Sequence, residues 1–272
     1  MKIGYALLII FFENSEQMNK IKFLGTAGGR FVVSKQLRKS GGLWISLDDT
    51  NLLIDPGPGS LVRCLSSKPK LDPRELDGII ISHRHIDHTN DVNIIIEAMT
   101  NGGFNKKGVL FTPKESLDDD PVVLKYVRKY LDKIEILKEK GSYKIGNISF
   151  TTPVKHIHHN VETYGFNIFG KKNSISIITD TMYFDGLESY YNEDILILNV
   201  VFYENKKEFE HFDLKDVERI IAANKPKLTI LTHFGMSMIK AKPWEIAENL
   251  SKKIGVKVIA ASDGLELDLS QL

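Results

Sequence analysis

The sequence predicts an α+β protein: two β-sheets packed face to face with helices outside, a four-layer αββα sandwich. Three observations carry this. Short runs rich in Ile, Val, Phe and Thr recur through both halves of the 272-residue chain. Helical patterns fall between them. Polar clusters of His and Asp follow directly on the apolar runs, where loops leave a rigid scaffold. Alternation of strands and helices alone would equally allow a doubly wound sheet, and the position of the polar clusters decides for the sandwich.

In chain order, strands are expected at 21–24, 43–47, 51–54, 78–82 and 109–112. Later ones are expected at 148–152, 164–169, 174–179, 195–201, 228–232 and 256–260. Gly, Pro, Asn or Asp bounds most of them. Helices are expected at 59–65, 89–100, 121–131, 214–224 and 243–253. Asp213 caps the fourth, with Asp216 on the same first turn. Pro243 suits the first turn of the fifth, and Gly255 its C-terminal stop. No low-complexity linker or internal repeat interrupts the chain.

The start of the chain reads differently. Tyr5 to Phe12 is an apolar octet, far short of the ~20 residues a membrane helix requires. Glu13-Asn14-Ser15-Glu16-Gln17 offers no small-residue cleavage site for a signal peptide. The globular pattern begins just after Met18. Residues 1–18 are therefore expected to be a dispensable extension or an upstream start misread, and residues 19–272 a single domain.

Hydrophobic residues make up 42% of the chain, enough for a sizeable core and too many for disorder. Thirty-six basic and 35 acidic residues leave a net charge of +1. That balance gives no global reason to expect nucleic acid or an anionic membrane. One cysteine, Cys64, rules out an intrachain disulfide framework. It suits a reducing compartment, and with no export signal the expected location is cytoplasmic. Cys64 follows Leu61-Val62-Arg63 in an expected helix and reads as a small core residue.

The chemistry concentrates in Ser82-His83-Arg84-His85-Ile86-Asp87-His88, directly after Gly78-Ile79-Ile80-Ile81. Packing has no use for three imidazoles and a carboxylate there, whereas a divalent metal takes those donors. His83 and His85, two apart, can converge on one ion from an extended backbone. Asp87 and His88 then turn toward a second ion. All eight histidines lie in such clusters or at strand ends: His156, His158 and His159 before Tyr164-Gly165-Phe166, His211 before the helix at Leu214, and His233 after Leu228 to Thr232. Asp180 ends the strand that starts at Ser174. A lone histidine after a strand is ordinarily a polar loop residue, and Asp180 alone could be a turn or cap residue. Their company gives them weight.

His83-x-His85-x-Asp87-His88, followed by His159, Asp180 and His233, resembles the metallo-β-lactamase-fold superfamily. The resemblance runs from about Lys20 to the C-terminus. Leu24-Gly25-Thr26-Ala27-Gly28-Gly29 and Asp55-Pro56-Gly57-Pro58-Gly59 look like this fold's early glycine turns. The resemblance implies one metal on His83, His85 and His159, a second on Asp87, His88 and His233, and Asp180 bridging both. His159 is chosen because ribonuclease Z-like and phosphodiesterase members carry a ligand histidine at a similar offset before an aromatic-Gly-aromatic step. Sequence alone leaves His156 and His158 open. Those members also have a non-ligand histidine near the scissile phosphate, at a place similar to that of His211.

The implied enzyme is a dinuclear metal-dependent hydrolase, preferably a phosphodiesterase, acting by in-line attack of a metal-bridging hydroxide. Asp87 and Asp180 would orient the attack. His211 would bond a phosphoryl oxygen or act as general acid. Asp55 is a plausible partner for an imidazole N–H. Zinc suits the ligands best, with manganese and iron also compatible. The substrate expected is a small-molecule or nucleotide phosphodiester. RNA is less favoured: no Gly/Pro-rich tRNA-clamping arm stands out, and Ile86 occupies the place where ribonuclease Z enzymes usually have glycine. Against that, Lys125, Arg128, Lys129 and Lys133 would share one face of the helix expected at 121–131, opposite Val123, Tyr126, Val127, Tyr130 and Ile134. Other readings are ester, thioester or lactone hydrolysis on the same fold, a di-iron oxidoreductase, and a metal-stabilised binding protein.

Overall fold

The computed structural model describes residues 18–204 and 208–272, so the expected extension lies outside the described residues except for Met18. Its elements run β1 (Lys20–Phe23), α1 (Arg30–Ser34), β2 (Leu43–Leu47), β3 (Thr50–Ile54), α2 (Ser60–Ser66), β4 (Gly78–Ile80), α3 (Ile86–Thr89), α4 (Val92–Met99) and β5 (Val109–Thr112). Then come α5 (Lys125–Arg128), β6 (Lys133–Ile136), β7 (Gly141–Ile145), β8 (Ile148–Thr152), β9 (Phe166–Phe169), β10 (Ser174–Ile178) and β11 (Ile195–Asn199). The chain closes with α6 (Leu214–Asn224), β12 (Leu228–Thr232), α7 (Met236–Lys240), α8 (Pro243–Ile254), β13 (Lys257–Ala260) and β14 (Glu266–Asp268).

Two seven-stranded mixed sheets form, ordered β14-β1-β2-β3-β4-β5-β6 and β13-β12-β11-β10-β9-β8-β7. Three apolar clusters define the layers. Ile21, Phe23, Ile45, Leu52, Ile54 and Phe111 meet Phe150, Phe166, Ile168, Ile177 and Ile197 between the sheets. Trp44, Leu53, Ile79 and Leu110 pack under α2 and α4 through Cys64, Ile95, Ile96 and Met99. Leu196, Leu198 and Leu231 pack under α6 and α8 through Val217, Ile220, Ile221, Ile246 and Leu250. The order is helix, sheet, sheet, helix, so the sandwich expectation holds. Strands buried on both faces read as near-continuous apolar runs, as Ile195-Leu196-Ile197-Leu198 of β11 does, while β3 and β12 are buried throughout with Thr and Asn among their apolar residues.

The caps follow the sequence. Asp213 accepts from Lys215 N at 2.9 Å and Asp216 N at 3.2 Å, while Asp216 accepts the Asp213 N–H. Pro243 opens α8 and Gly255 closes it at φ 77°.

Two expectations need correction. The helix at 121–131 shrinks to the four residues of α5, because Arg128 bonds back to the Leu117 and Val123 carbonyls. Lys133 belongs to β6 beside Val109, so the four-cation helix face does not exist. The helix expected at 89–100 forms as α4 over Val92–Met99, and the short α3 before it shares only Thr89 with that range. Strands β6, β7 and β14 escape the sequence reading, whereas the fourth outer strand, β13, is read through its Val258-Ile259-Ala260 run. Each of the three is the outer strand of a sheet, and edge strands carry charge that blunts pairing with other chains and hides the strand pattern. No helix among the described residues is long and apolar enough to cross a membrane.

Strands β3 to β6 run parallel, as do β10 to β13. Loops leaving the carboxyl ends of parallel strands gather along one rim, the usual ligand position in such sheets. Asp55, Ser82, Asp180, Asn199 and His233 all follow or end these strands.

Candidate metal centre

Backbone packing brings the loops close. A Cβ on Gly57 would lie 2.0 Å from the Asp87 carbonyl oxygen, and one on Gly28 would lie 2.1 Å from that of His233. Only glycine permits these approaches. Asp55 sits in the left-handed region at φ 52°, which aspartate tolerates. From there its carboxylate accepts Ser82 N–H at 2.6 Å, Ser82 Oγ–H at 2.7 Å and His88 Nδ1–H at 2.8 Å.

These bonds set the ring tautomers. Ser82 Oγ spends its proton on Asp55, so it accepts from His83 Nδ1 at 2.9 Å, and His83 Nε2 carries a lone pair. His158 Nδ1 donates to the Glu210 carbonyl at 3.0 Å, which leaves its Nε2 as a lone pair too. Both lone pairs face His85 Nδ1, each at 3.0 Å. One proton on His85 could satisfy only one of them. Three nitrogens converging in this way suit a cation.

A second convergence lies beside it. His88, its Nδ1 held by Asp55, points Nε2 to within 3.1 Å of His233 Nε2, 3.7 Å of Asp87 Oδ2 and 3.4 Å of Asp180 Oδ2. His233 Nε2 lies 3.5 Å from Asp87 Oδ2. Its buried Nδ1 makes no hydrogen bond. Asp180 Oδ2 stands between the two groups, 3.8 Å from His158 Nε2 and 3.4 Å from His88 Nε2. Asn199 Nδ2 donates to the other oxygen, Oδ1, at 2.8 Å and fixes which oxygen faces inward. The donor atoms of His83, His85 and His158 lie within 4.8 Å of one another, as do those of Asp87, His88 and His233.

Charge agrees with geometry. Burial, with His158 close by, lowers His85 to about 4. Burial also lowers His158 to about 4, against the pull of Asp180. Burial and the neighbouring His88 hold His83 well below its ordinary value. These rings are neutral at pH 7, as ligation demands. Burial raises Asp180, but His233, His211 and His88 outweigh it and hold the carboxyl well below the usual range. Asp87 follows the same pattern through His88 and His233. Burial lowers His88, yet Asp87, Asp55 and Asp180 raise it further, to well above the ordinary value. Three carboxylates that favour an imidazolium there favour a divalent cation equally.

Among the middle histidines, the structure brings His158 to His83 and His85. The expected residue, His159, is exposed, with φ at 46° and its N–H held by the Glu210 carboxylate. Its ring lies 5.7 Å from that of His85, 4.2 Å from that of His158 and 5.4 Å from that of His211, and its donor groups with those of His158 and His211 rather than with those of His83 and His85. His156 is spent elsewhere: Thr179 Oγ1 donates to the Tyr164 carbonyl and so accepts from His156 Nδ1, and Tyr191 O–H donates to Nε2 at 2.7 Å. His211 Nδ1 lies 3.7 Å from Asp180 Oδ2. Ser82, Asn199 and the Glu210 carbonyl were not assigned roles from sequence. Ser82 and Asn199 carry one local signal, a polar residue at the end of a buried strand. The Glu210 carbonyl carries none.

The chain matches the beta-lactamase superfamily domain family over residues 50–234 and belongs to it. An uncharacterized protein of Methanocaldococcus jannaschii is 31% identical over 260 residues, 92% of this chain and 95% of that protein. Ribonuclease Z of Pediococcus pentosaceus is 26% identical over 177 residues, 60% of this chain and 53% of that protein. The crystal structure of the metallo-beta-lactamase fold protein YhfI from Bacillus subtilis superposes with a TM-score of 0.76 at 20% identity, covering 92% and 99% of the two chains. The fold is that of the metallo-β-lactamases, the members are metal-dependent hydrolases, and the His/Asp clusters fit divalent metal.

Proposed function

We propose that this protein is a dinuclear metal-dependent phosphodiesterase. His83, His85 and His158 would hold one ion and Asp87, His88 and His233 the other, with Asp180 Oδ2 within reach of both groups. The observation that carries this is the pair of adjacent donor convergences with one carboxylate oxygen between them. Neutral imidazole and carboxylate favour zinc, with manganese and iron compatible. Two such ions would activate water at neutral pH and take up charge developing on the phosphoryl oxygens.

The chain's own residues do the rest. Asp87 is more open than Asp180, 19% against 3% side-chain exposure, so it is the carboxylate that orients the attacking water. Burial lowers His211 to about 4, leaving a neutral ring at pH 7. It acts as a hydrogen-bond donor to a phosphoryl or leaving oxygen, in preference to storing a proton. The segment shared with ribonuclease Z supports phosphodiester chemistry, and the small-molecule or nucleotide diester is preferred to RNA because the expected basic helix face is absent. A cytoplasmic location rests on the lone, buried Cys64.

Metal analysis combined with a substrate panel tests the reading. Two ions per chain are expected, with bis-p-nitrophenyl phosphate turnover that disappears in Asp87→Ala. Turnover of esters or lactones alone would overturn the phosphodiester assignment. Iron loading with oxygen reduction would overturn hydrolysis altogether.

A further inference from the structure

His233 differs from the other donor histidines in how it is held. His83, His88 and His158 are each fixed through Nδ1, by Ser82 Oγ, by the Asp55 carboxylate and by the Glu210 carbonyl. His233 Nδ1 is buried without a hydrogen bond, and Asp180 Oδ1, 3.4 Å away, is taken by Asn199. That nitrogen packs against Gly28, where a Cβ would lie 2.5 Å from it. The backbone of His233 sits at φ 59°, a left-handed conformation that a residue other than glycine keeps where its surroundings hold it. The aim of the ring therefore comes from the main chain.

The main chain is gripped one residue on, at Phe234. Its N–H donates to the Thr26 carbonyl at 2.8 Å, and its carbonyl accepts the Gly28 N–H at 3.0 Å. Its buried ring lies 5.1 Å from the Arg38 guanidinium carbon, a cation–π contact. Thr26, also buried, is held in turn from near the end of the chain. Asp263 Oδ1 accepts Thr26 N–H at 3.0 Å and Thr26 Oγ–H at 2.8 Å, and Oδ2 accepts Lys39 N–H at 2.8 Å. With its proton on Asp263, Thr26 Oγ accepts from Arg38 Nη1 at 2.9 Å. One buried hydroxyl thus joins a carboxylate to a guanidinium, and hydrogen bonds to charged groups are the stronger kind. None of Thr26, Arg38 and Asp263 belongs to a donor group.

We infer that Asp263, Thr26 and Arg38 form a clasp that positions His233 through the main chain of Phe234. The inference rests on the dinuclear reading and adds three positioning residues to one of its two groups, that of Asp87, His88 and His233. The other group is held by separate contacts of Ser82 and the Glu210 carbonyl, so the clasp acts on one group alone.

Thr26→Val tests the clasp, because it deletes the hydroxyl at nearly constant volume and leaves the Thr26 N–H on Asp263. In the metal-free protein, NMR of isotope-labelled histidine rings should show the His233 signal, assigned by its loss in His233→Ala, shifted or doubled. The His83 and His85 signals should stay in place. Competition with a chromophoric zinc chelator should show affinity at the group of Asp87, His88 and His233 lowered about tenfold, the scale of lost outer partners, with the other group unchanged. Thr26→Ser keeps the hydroxyl and should behave as wild type. Arg38→Met, at a half-buried position, removes the guanidinium and should reproduce the effect in part. It decides the matter if Thr26→Val fails to fold. An unmoved His233 signal with unchanged affinity overturns the clasp. Equal loss at both groups with every histidine signal displaced also overturns it, since that marks loosening of the whole fold. A wild-type protein that binds a single ion strikes the dinuclear reading, and the His233 signal then decides the clasp by itself.

Discussion

Replacing Asp55 by asparagine should weaken metal binding at both proposed sites through a reversal of ring tautomers. The carboxylate is a pure acceptor, and it receives Ser82 Oγ–H at 2.7 Å and His88 Nδ1–H at 2.8 Å on one oxygen. An amide keeps one oxygen for Ser82 N–H, the 2.6 Å bond. It then presents an NH₂ where Oδ2 stood. Facing that donor, His88 Nδ1 must become an acceptor, which moves its proton to Nε2, the atom aimed at Asp87, Asp180 and His233. Ser82 Oγ becomes an acceptor from the amide and turns its own proton to His83 Nδ1, which protonates His83 Nε2 in the other group. One ring in each set thus loses its lone pair. Outer partners of this kind are worth roughly 10–100-fold in metal affinity, or about 1.4–2.7 kcal/mol per site. Asparagine tolerates the φ of 52° at this position, so the backbone should hold. Competition with a chromophoric zinc chelator reads both affinities, and circular dichroism checks the fold. Wild-type affinity at both sites would refute the relay through Asp55. Loss at the His88 site alone would refute the arm through Ser82 and His83.

Other outcomes follow from the same geometry. His158→Ala should lose one ion per chain by metal analysis, whereas His159→Ala should retain both; the reverse result would return the ligand role to His159. Asn199→Leu frees Asp180 Oδ1 from its 2.8 Å bond, and affinity at both sites should fall about tenfold or more with the melting temperature of the metal-free protein little changed. In that metal-free protein, burial depresses His156 to about 3 and His85 and His158 to about 4. Unfolded chains take up these protons near the ordinary pKa of about 6.5, so the groups contribute stability above that pH and lose it as pH falls toward 4. His83 and His211 are depressed by burial as well, and His88, raised by its carboxylates, acts in the opposite sense but is one ring against five. Urea midpoints should therefore drop between pH 7 and pH 5, and a constant or rising midpoint would contradict the burial argument. A chain beginning at Met18 should fold and bind metal like the full chain, measured by thermal melting and metal content.

The sequence made the outer architecture and the chemistry legible where the signal was local. Buried strands read as apolar runs because both faces are covered, and the Asp213 cap and Gly255 stop read directly because capping is satisfied within one turn. Edge strands β6, β7 and β14 were lost because their charges serve the solvent side. The expected helix at 121–131 was lost because Arg128 finds carbonyls at Leu117 and Val123, which helix periodicity does not encode.

The metal donors divide along the same line. Residues 83–88 announced a metal site unaided, because four donors fall within one short stretch. Asp55 could be named as an imidazole partner because it ends a strand beside that stretch. Which of His156, His158 and His159 lies beside His83 and His85 needed the tertiary structure. It is set by the Glu210 carbonyl, 52 residues from His158, by Tyr191, 35 residues from His156, and by the left-handed turn at His159, whose donor groups with His158 and His211 instead. Sequence determined which donor types exist, since that is a property of residues. Only the fold decided which lone pairs meet, since that depends on hydrogen bonds closed across distant segments.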